Sequence, residues 1–322
     1  MKKKIRIGIL GTADIAFRRF LPALIKDETL EYIGIASRTE SRTIPFLESY
    51  GGRAFSSYEE LVHSPDVDAV YVPLPPALHF KWAMSLLLQG KHIFLEKPFT
   101  ISVEDTQLLL EEAKRRNLAV HENYMYRYHN QFTKVCSMAE DGIIGELRQI
   151  RITFGFPKRK DDDFRYNKVL GGGALFDCGG YTVNLATALL GQTARVTDMS
   201  LVKPQGYEVD LYGSATLTND EGLTAQISFG MDNSYICELE IWGSKGKLSA
   251  PRIFTAPPDF QPALVIQNTD GIDKQILPSD DQFFNSIIKF RDCITDSSQR
   301  LQAYVDIERQ SRLVNTILTK GE

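Results

Sequence analysis

The stretch that decides the fold is IRIGILGTADIA, residues 5–16. It begins with a nearly continuous apolar run, which is typical of a strand buried on both faces of a parallel sheet. Gly11 follows where the chain needs a tight turn, and an amphipathic segment, residues 13–27, comes next. A strand, a glycine turn and a helix in this order predict the first unit of a strand–helix repeat.

The same alternation continues through the first third of the chain. Apolar runs typical of buried strands recur at residues 30–37, 69–75, 92–96 and 118–124. Helical segments are predicted between them, at residues 41–51, 78–90 and 102–117. The first of these helices is expected to end at Gly51, and the last begins with Ser102 and Asp105 in capping-box spacing. Repeated strand–helix units predict a parallel, doubly wound sheet with right-handed crossovers.

The pattern changes after about residue 123. One helical segment is followed by runs of period near two, punctuated by Gly, Asn or Asp, which indicate an antiparallel sheet. These runs are residues 148–156, 213–219, 223–231 and 235–243. The tail, residues 281–318, is again helical in pattern. We therefore predict a dinucleotide-binding domain over residues 1–122. Residues 123–322 are predicted to form a substrate and oligomerisation domain with an open, mostly antiparallel sheet and C-terminal helices.

Composition excludes several classes of protein. The formal net charge of −4 and pI of about 5.8 argue against a nucleic-acid partner. No apolar run reaches the length of a membrane span, and the apolar part of the first ten residues is too short for a signal peptide. The four cysteines are scattered without a CxxC pair, which fits reduced thiols. We expect a cytoplasmic protein without a membrane partner.

The turn after the first strand resembles a dinucleotide-binding fingerprint with two departures. The usual pattern is GxGxxG, but Ala13 and Ala16 replace its second and third glycines. Gly11 still permits the tight turn, and backbone N–H groups at the start of the following helix are suited to a pyrophosphate. The residues predicted to contact the cofactor here are Gly11, Thr12, Ala13, Asp14 and Ile15. The alternative is a glycine that serves only a strand–helix turn.

The end of the second strand bears on the choice between NAD and NADP. A site that prefers NAD normally places an acid there to bind the ribose 2′-hydroxyl, whereas this chain has Ser37 and Arg38, with Arg42 one helical turn later. A guanidinium matches a 2′-phosphate in two-point geometry. The sequence therefore predicts NADP(H) as the cofactor. A solvated arginine at a strand end is the alternative explanation.

Four motifs together resemble the Gfo/Idh/MocA oxidoreductase family: GILGTADIA, VPLPPALH, EKPFT and GGGALFDCGGY, in that order. Among its members, the segments GIIGELR, FGM and FTAPPDFQP are most similar to the NDP-hexose 3-ketoreductases. The resemblance runs nearly end to end. It implies a Rossmann domain beside an open antiparallel sheet. It also implies that the lysine of the EKP element, Lys97, lies beside the nicotinamide and the substrate oxygen, with the bond to Pro98 in the cis form.

This position gives Lys97 a chemical role. Hydride reduction of a ketone leaves a developing alkoxide, which needs a positive hydrogen-bond donor and then a proton. Partial burial beside a nicotinamide that becomes cationic would lower the pKa of Lys97 and ease proton transfer. Glu96 either orients the ammonium or caps the strand. The alternative for Lys97 is a charged strand end whose stem covers apolar surface.

A second catalytic candidate is Tyr181, on a segment predicted to be helical from Ala174 to Leu190 although Gly179 and Gly180 interrupt it. Asp177 and Tyr181 are four residues apart and would share a helix face. Many members of the family carry histidine at the position of Tyr181. Tyrosine is either the proton donor or, as we favour, a partner that holds the carbonyl while Lys97 donates. Asp177 is either in the active site or satisfies N–H groups at the helix start.

The remaining candidates are supported mainly by the resemblance. Pro73 and Leu74 would shape the cofactor groove, His79 would lie near the nicotinamide ribose, and Asn123 would contact cofactor at the domain junction. Arg165 and Tyr166 match an RY element of the ketoreductases and would bind substrate phosphate or sugar, and either Arg165 or Lys158 is available to bind a pyrophosphate. A group of aromatic residues is available to stack on a base or sugar, although such residues more often belong to a core: Tyr124, Tyr126, Tyr128, Phe164 and Tyr166.

The five histidines show no metal-binding spacing, so no metal is predicted. The function predicted is NADPH-dependent reduction of a keto group on a sugar, most specifically a nucleotide-linked 3-keto-deoxyhexose. Two alternatives remain. One is a sugar, polyol or dihydrodiol dehydrogenase of the same family, and the other is a non-catalytic NADP-binding sensor. Because open sheets often pair face to face, we expect a homodimer or homotetramer.

Overall fold

The computed structural model of the chain describes residues 4–321. The chain folds into two compact units. The first contains the described residues up to Asn123 together with Phe283–Arg309, and the second contains Tyr124–Gln282 and the described residues from Gln310 onward. The segment 283–309, which the sequence prediction grouped with the second domain, thus packs within the first unit. Local pattern alone marks it as helical but carries no information about which sheet it covers.

The first unit is built on a six-stranded parallel sheet in the order β3-β2-β1-β4-β5-β6. Its strands are β1 Ile5–Leu10, β2 Leu30–Ala36, β3 Arg53–Phe55, β4 Ala69–Val72, β5 His92–Leu95 and β6 Val120–Glu122. Its helices up to Asn123 are α1 Leu21–Leu24, α2 Ile44–Tyr50, α3 Tyr58–His63, α4 His79–Leu88 and α5 Val103–Arg116. The order reverses beside β1, which creates the crevice where such folds bind nucleotides. The predicted Rossmann sheet is confirmed.

Local chemistry explains the ends of these helices. The side chain of Ser102 accepts the N–H of Asp105 at 3.0 Å, as the capping pattern predicts, and α5 ends at Asn117 with a positive φ of 59°. Gly51 closes α2 with φ of 71°. The sequence prediction missed β3 and α3. A three-residue strand is too short to show periodicity, although Ser57 does cap α3 by accepting the N–H of Glu60, whose carboxylate accepts the N–H of Ser56.

The second unit is built on an eight-stranded sheet in the order β14-β13-β12-β11-β7-β10-β9-β8. Its strands are β7 Leu147–Gly155, β8 Arg195–Val202, β9 Tyr212–Thr218, β10 Thr224–Gly230, β11 Ile236–Gly243, β12 Gly246–Ala250, β13 Ala263–Asn268 and β14 Gly271–Ile276. The remaining helices of the chain are α6 Asn130–Glu140, α7 Gly180–Leu190, α8 Gln282–Thr295 and α9 Ser297–Gly321. Every pair is antiparallel except β7 with β10. The predicted mostly antiparallel sheet is confirmed.

The two faces of this second sheet differ. Ile150, Ile152 and Phe154 of β7 point to the buried face, against which α7 packs. On the other face of the sheet, Trp242 is 57% exposed and Tyr212 is 44% exposed. This alternation follows from the period-two pattern of the strands, because successive side chains point to opposite faces. Within residues 4–321, no helix is both long and apolar enough to cross a membrane.

Candidate functional site

The glycine turn after β1 has the geometry that a bound dinucleotide requires. Gly11 has φ of 103°, in the region that favours glycine, and a Cβ placed on it would lie 2.8 Å from Cδ2 of Leu74. The N–H of Gly11 is bonded to the carbonyl of Ala36 on β2 at 2.9 Å. The chain then enters a π-helical turn, Ala16–Phe20, which continues into α1. A side chain at position 11 would therefore clash with Leu74, whereas glycine lets a ligand approach the backbone of the turn.

The end of β2 carries the predicted determinant of NADP preference. Arg38 and Arg42 are exposed, and Ser37 is buried with its hydroxyl accepting the N–H of Thr39 at 3.2 Å. Sequence reasoning missed Tyr58, whose hydroxyl lies beside the guanidinium of Arg38. Burial raises the pKa of Tyr58, and the bond and charge of Arg38 act in the opposite direction. An exposed basic pair at this strand end fits a 2′-phosphate better than a 2′-hydroxyl.

Lys97 is the second residue after β5. The side chain of the residue between them, Glu96, accepts several hydrogen bonds. The hydroxyl of Tyr71 donates to Oε1 of Glu96 at 2.6 Å, and the amide of Asn123 donates to the same oxygen at 2.8 Å. The backbone N–H of Lys97 is a further donor. Burial raises the pKa of Glu96, while these donors and the charge of Lys97 favour the carboxylate. Glu96 thus fixes the start of the turn that carries Lys97.

The bonds to Glu96 continue into the core of the first unit. The hydroxyl of Ser286, on α8, donates to Oδ1 of Asn123 at 2.9 Å. Nε2 of His121 lies 2.8 Å from the same hydroxyl oxygen and therefore donates to it. Burial lowers the pKa of His121 to about 3, so the ring is neutral. Its one ring proton lies on Nε2, the atom that donates to Ser286. The chain of donors orients the amide of Asn123 with its NH2 group toward Glu96.

Two further side chains contact the Lys97 turn. His79 is fully buried, with Nδ1 lying 2.8 Å from the carbonyl of Pro98 and Nε2 lying 2.8 Å from that of Leu74. Burial lowers the pKa of His79, and the two carbonyl contacts oppose the shift. Oε1 of Glu122 accepts the N–H of Phe99 at 2.8 Å. The Lys97–Pro98 bond is cis, as the family resemblance implied.

The second unit brings Arg165 and Asp177 together. Nε of Arg165 donates to Oδ2 of Asp177 at 2.6 Å, and Nη1 donates to Asp163 at 3.1 Å. Burial opposes the charge of Arg165, but the two carboxylates more than offset it, so the pKa of the guanidinium is raised. The N–H of Leu175, at the start of the helical segment, is accepted by Asp210 at 2.7 Å. The helix-start role considered for Asp177 is thus filled there by Asp210.

Tyr181 lies in the first turn of α7, which follows a π-helical turn, Leu175–Gly179. Its ring packs edge-on against Tyr124, Phe154 and Phe254, with centroids 5.1, 5.4 and 5.5 Å away. Its hydroxyl contacts Sδ of Met125 at 3.4 Å, a weak hydrogen bond. The side chain is 7% exposed. Tyr181 is therefore positioned mainly by packing.

The other predicted substrate contacts lie in the loop after β7. The hydroxyl of Tyr166 accepts the N–H of Arg159 at 2.8 Å and lies 3.3 Å from the carbonyl of Met231. Lys158 pairs with Asp161 at 2.7 Å. Of the aromatic group, Tyr124 and Tyr126 are buried, whereas Tyr128, Phe164 and Tyr166 are partly exposed. The latter three retain surface for a ligand, and the buried pair belongs to the core.

Sequence reasoning missed Tyr71, Glu122 and Ser286 around Lys97. Glu122 directly precedes Asn123, and its place beside this predicted cofactor contact was a local signal that could have identified it. Tyr71 and Ser286 gave no local signal, since one lies inside an apolar strand and the other in an amphipathic helix. Among residues 4–321, no group of three or more His, Cys, Asp or Glu side chains is arranged to hold a metal ion.

Comparison with known families gives two matches. Residues 5–124 match the Gfo/Idh/MocA oxidoreductase family model described as an NAD-binding Rossmann fold. Residues 132–249 match the model of the C-terminal domain of the same family. Together the two matches cover well over half of the chain, and they correspond to the parallel and the mostly antiparallel sheet described above.

Individual relatives agree with the family match. A dTDP-3,4-didehydro-2,6-dideoxy-alpha-D-glucose 3-reductase of Actinomadura kijaniata is 38% identical over 98% of this chain and 95% of its own length. A 3-reductase of the same description from Streptomyces violaceoruber is 39% identical over 92% of this chain and 87% of its own. A 3-ketoreductase from Actinomadura kijaniata, solved in complex with NADP and TDP-benzene, superposes with a TM-score of 0.95 at 38% identity, covering 98% of both chains.

Proposed function

The chain belongs to the Gfo/Idh/MocA oxidoreductase family, and on this premise we propose that it is an NADPH-dependent ketoreductase acting on a nucleotide-linked 3-keto-deoxyhexose. The observation that carries the proposal is the turn at Lys97, which follows β5 at the carboxyl edge of the parallel sheet. Ligands of this fold bind at that edge, where the strand order reverses. A lysine there, with its neighbouring carboxylate fixed by Tyr71 and Asn123, suits proton delivery to a reduced carbonyl.

Lys97 would stabilise and then protonate the oxygen of the substrate ketone. As the carbonyl is reduced, negative charge develops on that oxygen, and the ammonium is attracted to it more strongly than to the neutral ketone. NADPH, when bound, supplies the hydride. Glu96, held by Tyr71 and Asn123, keeps in place the turn that carries this general acid.

The residues proposed to hold the cofactor lie at the glycine turn and at the end of β2. Backbone groups of Gly11, Thr12, Ala13, Asp14 and Ile15 would bind the pyrophosphate, because Gly11 leaves no space for a side chain beside Leu74. Arg38, with Arg42 and Ser37, would bind the 2′-phosphate. Pro73, Leu74, His79, Glu96 and Asn123 complete the predicted set. The side chains of His79 and Asn123 are already committed to hydrogen bonds with the protein.

In the second unit we propose that Tyr181 holds the substrate carbonyl, which is a lesser role than that of Lys97. Its hydroxyl donates to the thioether sulfur of Met125 at 3.4 Å, and a carbonyl oxygen is a stronger acceptor than that sulfur. Arg165, Tyr166 and Asp177 would contact the sugar. Because two carboxylates flank the single charge of Arg165, this group is suited to hydroxyls rather than to a diphosphate.

The substrate proposal is supported by the relatives, whose descriptions specify 3-reduction of a dTDP-linked dideoxyhexose. It is tested by following NADPH absorbance with a dTDP-3-keto-deoxysugar, with free glucose and with inositol, using Lys97→Met as the matched control. NADPH consumption with the keto-sugar nucleotide alone is the expected result. Oxidation of free sugars by NADP⁺ without reduction of the nucleotide would favour a sugar dehydrogenase. NADPH binding without turnover on any carbonyl sugar would favour a sensor.

We also propose that the protein is a homodimer or homotetramer. The outward face of the second sheet exposes large side chains, among them Trp242 and Tyr212, which a second copy would cover. Light scattering with Trp242→Glu as the comparison tests this. A monomer in the unsubstituted protein would contradict the proposal, and a charge at position 242 should dissociate the assembly if this face is the interface.

A further inference from the structure

Side chains contact three backbone polar groups of the turn at residues 97–99. The N–H of Lys97 is bonded by Glu96, and the carbonyl of Pro98 lies 2.8 Å from Nδ1 of His79. Pro98 has no N–H of its own. The N–H of Phe99 is therefore the next donor along the turn, and it bonds Oε1 of Glu122 at 2.8 Å. Glu122 thus anchors the side of the turn on which the chain leaves Lys97.

The anchor comes from a neighbouring strand and not from the turn itself. Glu122 is the last residue of β6, which pairs in parallel with β5, and Leu95 of β5 lies opposite Glu122 in the register. The N–H of Asn123 bonds the carbonyl of Leu95 at 2.9 Å, so the backbone at Glu122 is fixed relative to the end of β5. Glu122 therefore holds Phe99 from a rigid position in the sheet, as a well-placed supporting residue should.

The carboxylate of Glu122 also interacts with the charge of Lys97. Burial raises the pKa of Glu122 to about 8, and the Phe99 N–H and the positive charge of Lys97 oppose that shift. The side chain is neither at the surface nor fully enclosed, since its residue is half-buried. Its geometry links the sheet to the turn that carries Lys97.

We propose that Glu122 is a positioning residue, which aims the side chain of Lys97 by anchoring the N–H of Phe99. This inference rests on the proposed function of Lys97 as proton donor. The bond acts through the backbone: Glu96 holds the N–H of Lys97 at the entry of the turn, and at its exit His79 and Glu122 hold the carbonyl and the N–H of the Pro98–Phe99 peptide. Without Glu122 the Pro98–Phe99 peptide is held by the contact of His79 alone, and the direction of the Cα–Cβ bond of Lys97 is less tightly constrained. Small misplacements of a catalytic group are costly because the reaction requires a defined geometry.

The test compares two substitutions of nearly equal shape, Glu122→Gln and Glu122→Met. Gln keeps an oxygen that accepts the Phe99 N–H, whereas Met has no such acceptor. We expect Gln to keep kcat within roughly 3-fold of the original, and Met to lower kcat by roughly 10-fold or more, the effect of losing one directed hydrogen bond. The dissociation constant for NADPH, from nicotinamide fluorescence, should change less than about 2-fold in both, because the cofactor is not the group being positioned.

A second readout does not depend on activity. Hydrogen exchange at the Phe99 amide, followed by mass spectrometry of peptides that contain it, should become faster in Glu122→Met and stay slow in Glu122→Gln. If the enzyme reduces no keto-sugar, the proposed function fails while this exchange result still tests the anchor. The controls are Asp296→Asn and Asp296→Leu, because Asp296 accepts the N–H of Ser298 at 2.8 Å before α9. Asp296→Leu should lower Tm and leave kcat unchanged.

Two results would overturn the proposal. If Gln lowers kcat as much as Met does while the Phe99 amide stays protected, activity requires the carboxyl group itself and the anchor does not explain the effect. If Met leaves kcat unchanged, Glu122 has no part in positioning. Should Glu122→Met fail to fold, Glu122→Ala removes the same acceptor with less bulk and is judged by the same two readouts.

Discussion

Lys97 and Tyr181 are held in place by different physical means. Around Lys97, directed bonds fix the backbone and the neighbouring carboxylate, among them those from Tyr71 and Asn123 to Glu96. Tyr181 is instead enclosed by aromatic rings, and its hydroxyl donates weakly to the sulfur of Met125. Directed bonds set an angle, whereas packing sets a position. Lys97 is therefore suited to the step that requires exact direction, and Tyr181 to a role in which position is enough.

The difference also bears on tolerance to substitution. Removing one member of a buried hydrogen-bond network has a large effect. The partner left without its bond costs more free energy than the bond itself contributes. A packed ring loses energy in proportion to the atoms removed. Substitutions near Lys97 should therefore act on kcat, and those near Tyr181 should act mainly on stability.

The largest effect is expected for Lys97→Met. Loss of the charge and of the proton should lower kcat by roughly 10³-fold, the range of an electrostatic donor combined with a general acid. NADPH should still bind within a few-fold, as measured by nicotinamide fluorescence, because the hydrogen bonds to Glu96 do not involve the ammonium. Turnover near that of the original protein would contradict the proposed role of Lys97, and with it the contrast between Lys97 and Tyr181.

Arg38→Ala should be next in size. A lost charged contact to the 2′-phosphate should raise KM for NADPH by about 10- to 100-fold, whereas KM for NADH should change by less than about 3-fold. Steady-state kinetics with both cofactors provides the measurement. The matched control is Arg115→Ala, an exposed arginine paired with Glu112 away from the glycine turn. Equal effects of Arg38→Ala on the two cofactors would contradict NADP recognition.

Gly180→Ala tests the packed side of the comparison. An added Cβ would collide with the hydroxyl of Tyr124, so we expect the free energy of unfolding to fall by about 1–3 kcal/mol. Tyr124→Phe removes the colliding oxygen and also its bond from Gln310, at 3.2 Å. In urea unfolding, the double variant should therefore be more stable than the sum of the two single changes. Strict additivity would show that the collision is relieved elsewhere.

The smallest effect is expected for Tyr181→Phe. The ring and its aromatic contacts remain, so the change in Tm should correspond to a change of less than about 1 kcal/mol in the free energy of unfolding. Loss of a hydroxyl partner for the carbonyl should lower kcat only about 3- to 10-fold. Kinetics and calorimetry on the same preparation measure both. A loss of kcat as complete as that of Lys97→Met would make Tyr181 the proton donor and reverse the assignment.

Much of the fold could be predicted because its signals are local. The buried run of β1, the cap at Ser102 and the stop at Gly51 each depend on a few adjacent residues. So do the glycine turn and the EKP element, which is why Gly11, Arg38 and Lys97 could be identified as candidates from sequence. The period-two runs likewise predicted the second sheet, although nothing in their pattern indicated that β7 and β10 pair in parallel.

Sequence by itself determined the two sheet types, the nucleotide turn and the lysine that would carry the chemistry. Tertiary structure alone decided what surrounds them. Ser286 is 163 residues from the Asn123 that it orients, and Gln310 is 186 residues from Tyr124. It also placed the carboxylate of Asp177 against Arg165, twelve residues away. Such partners have no signature in local pattern, because any buried polar group needs a hydrogen bond but the sequence does not specify which distant segment folding brings to it.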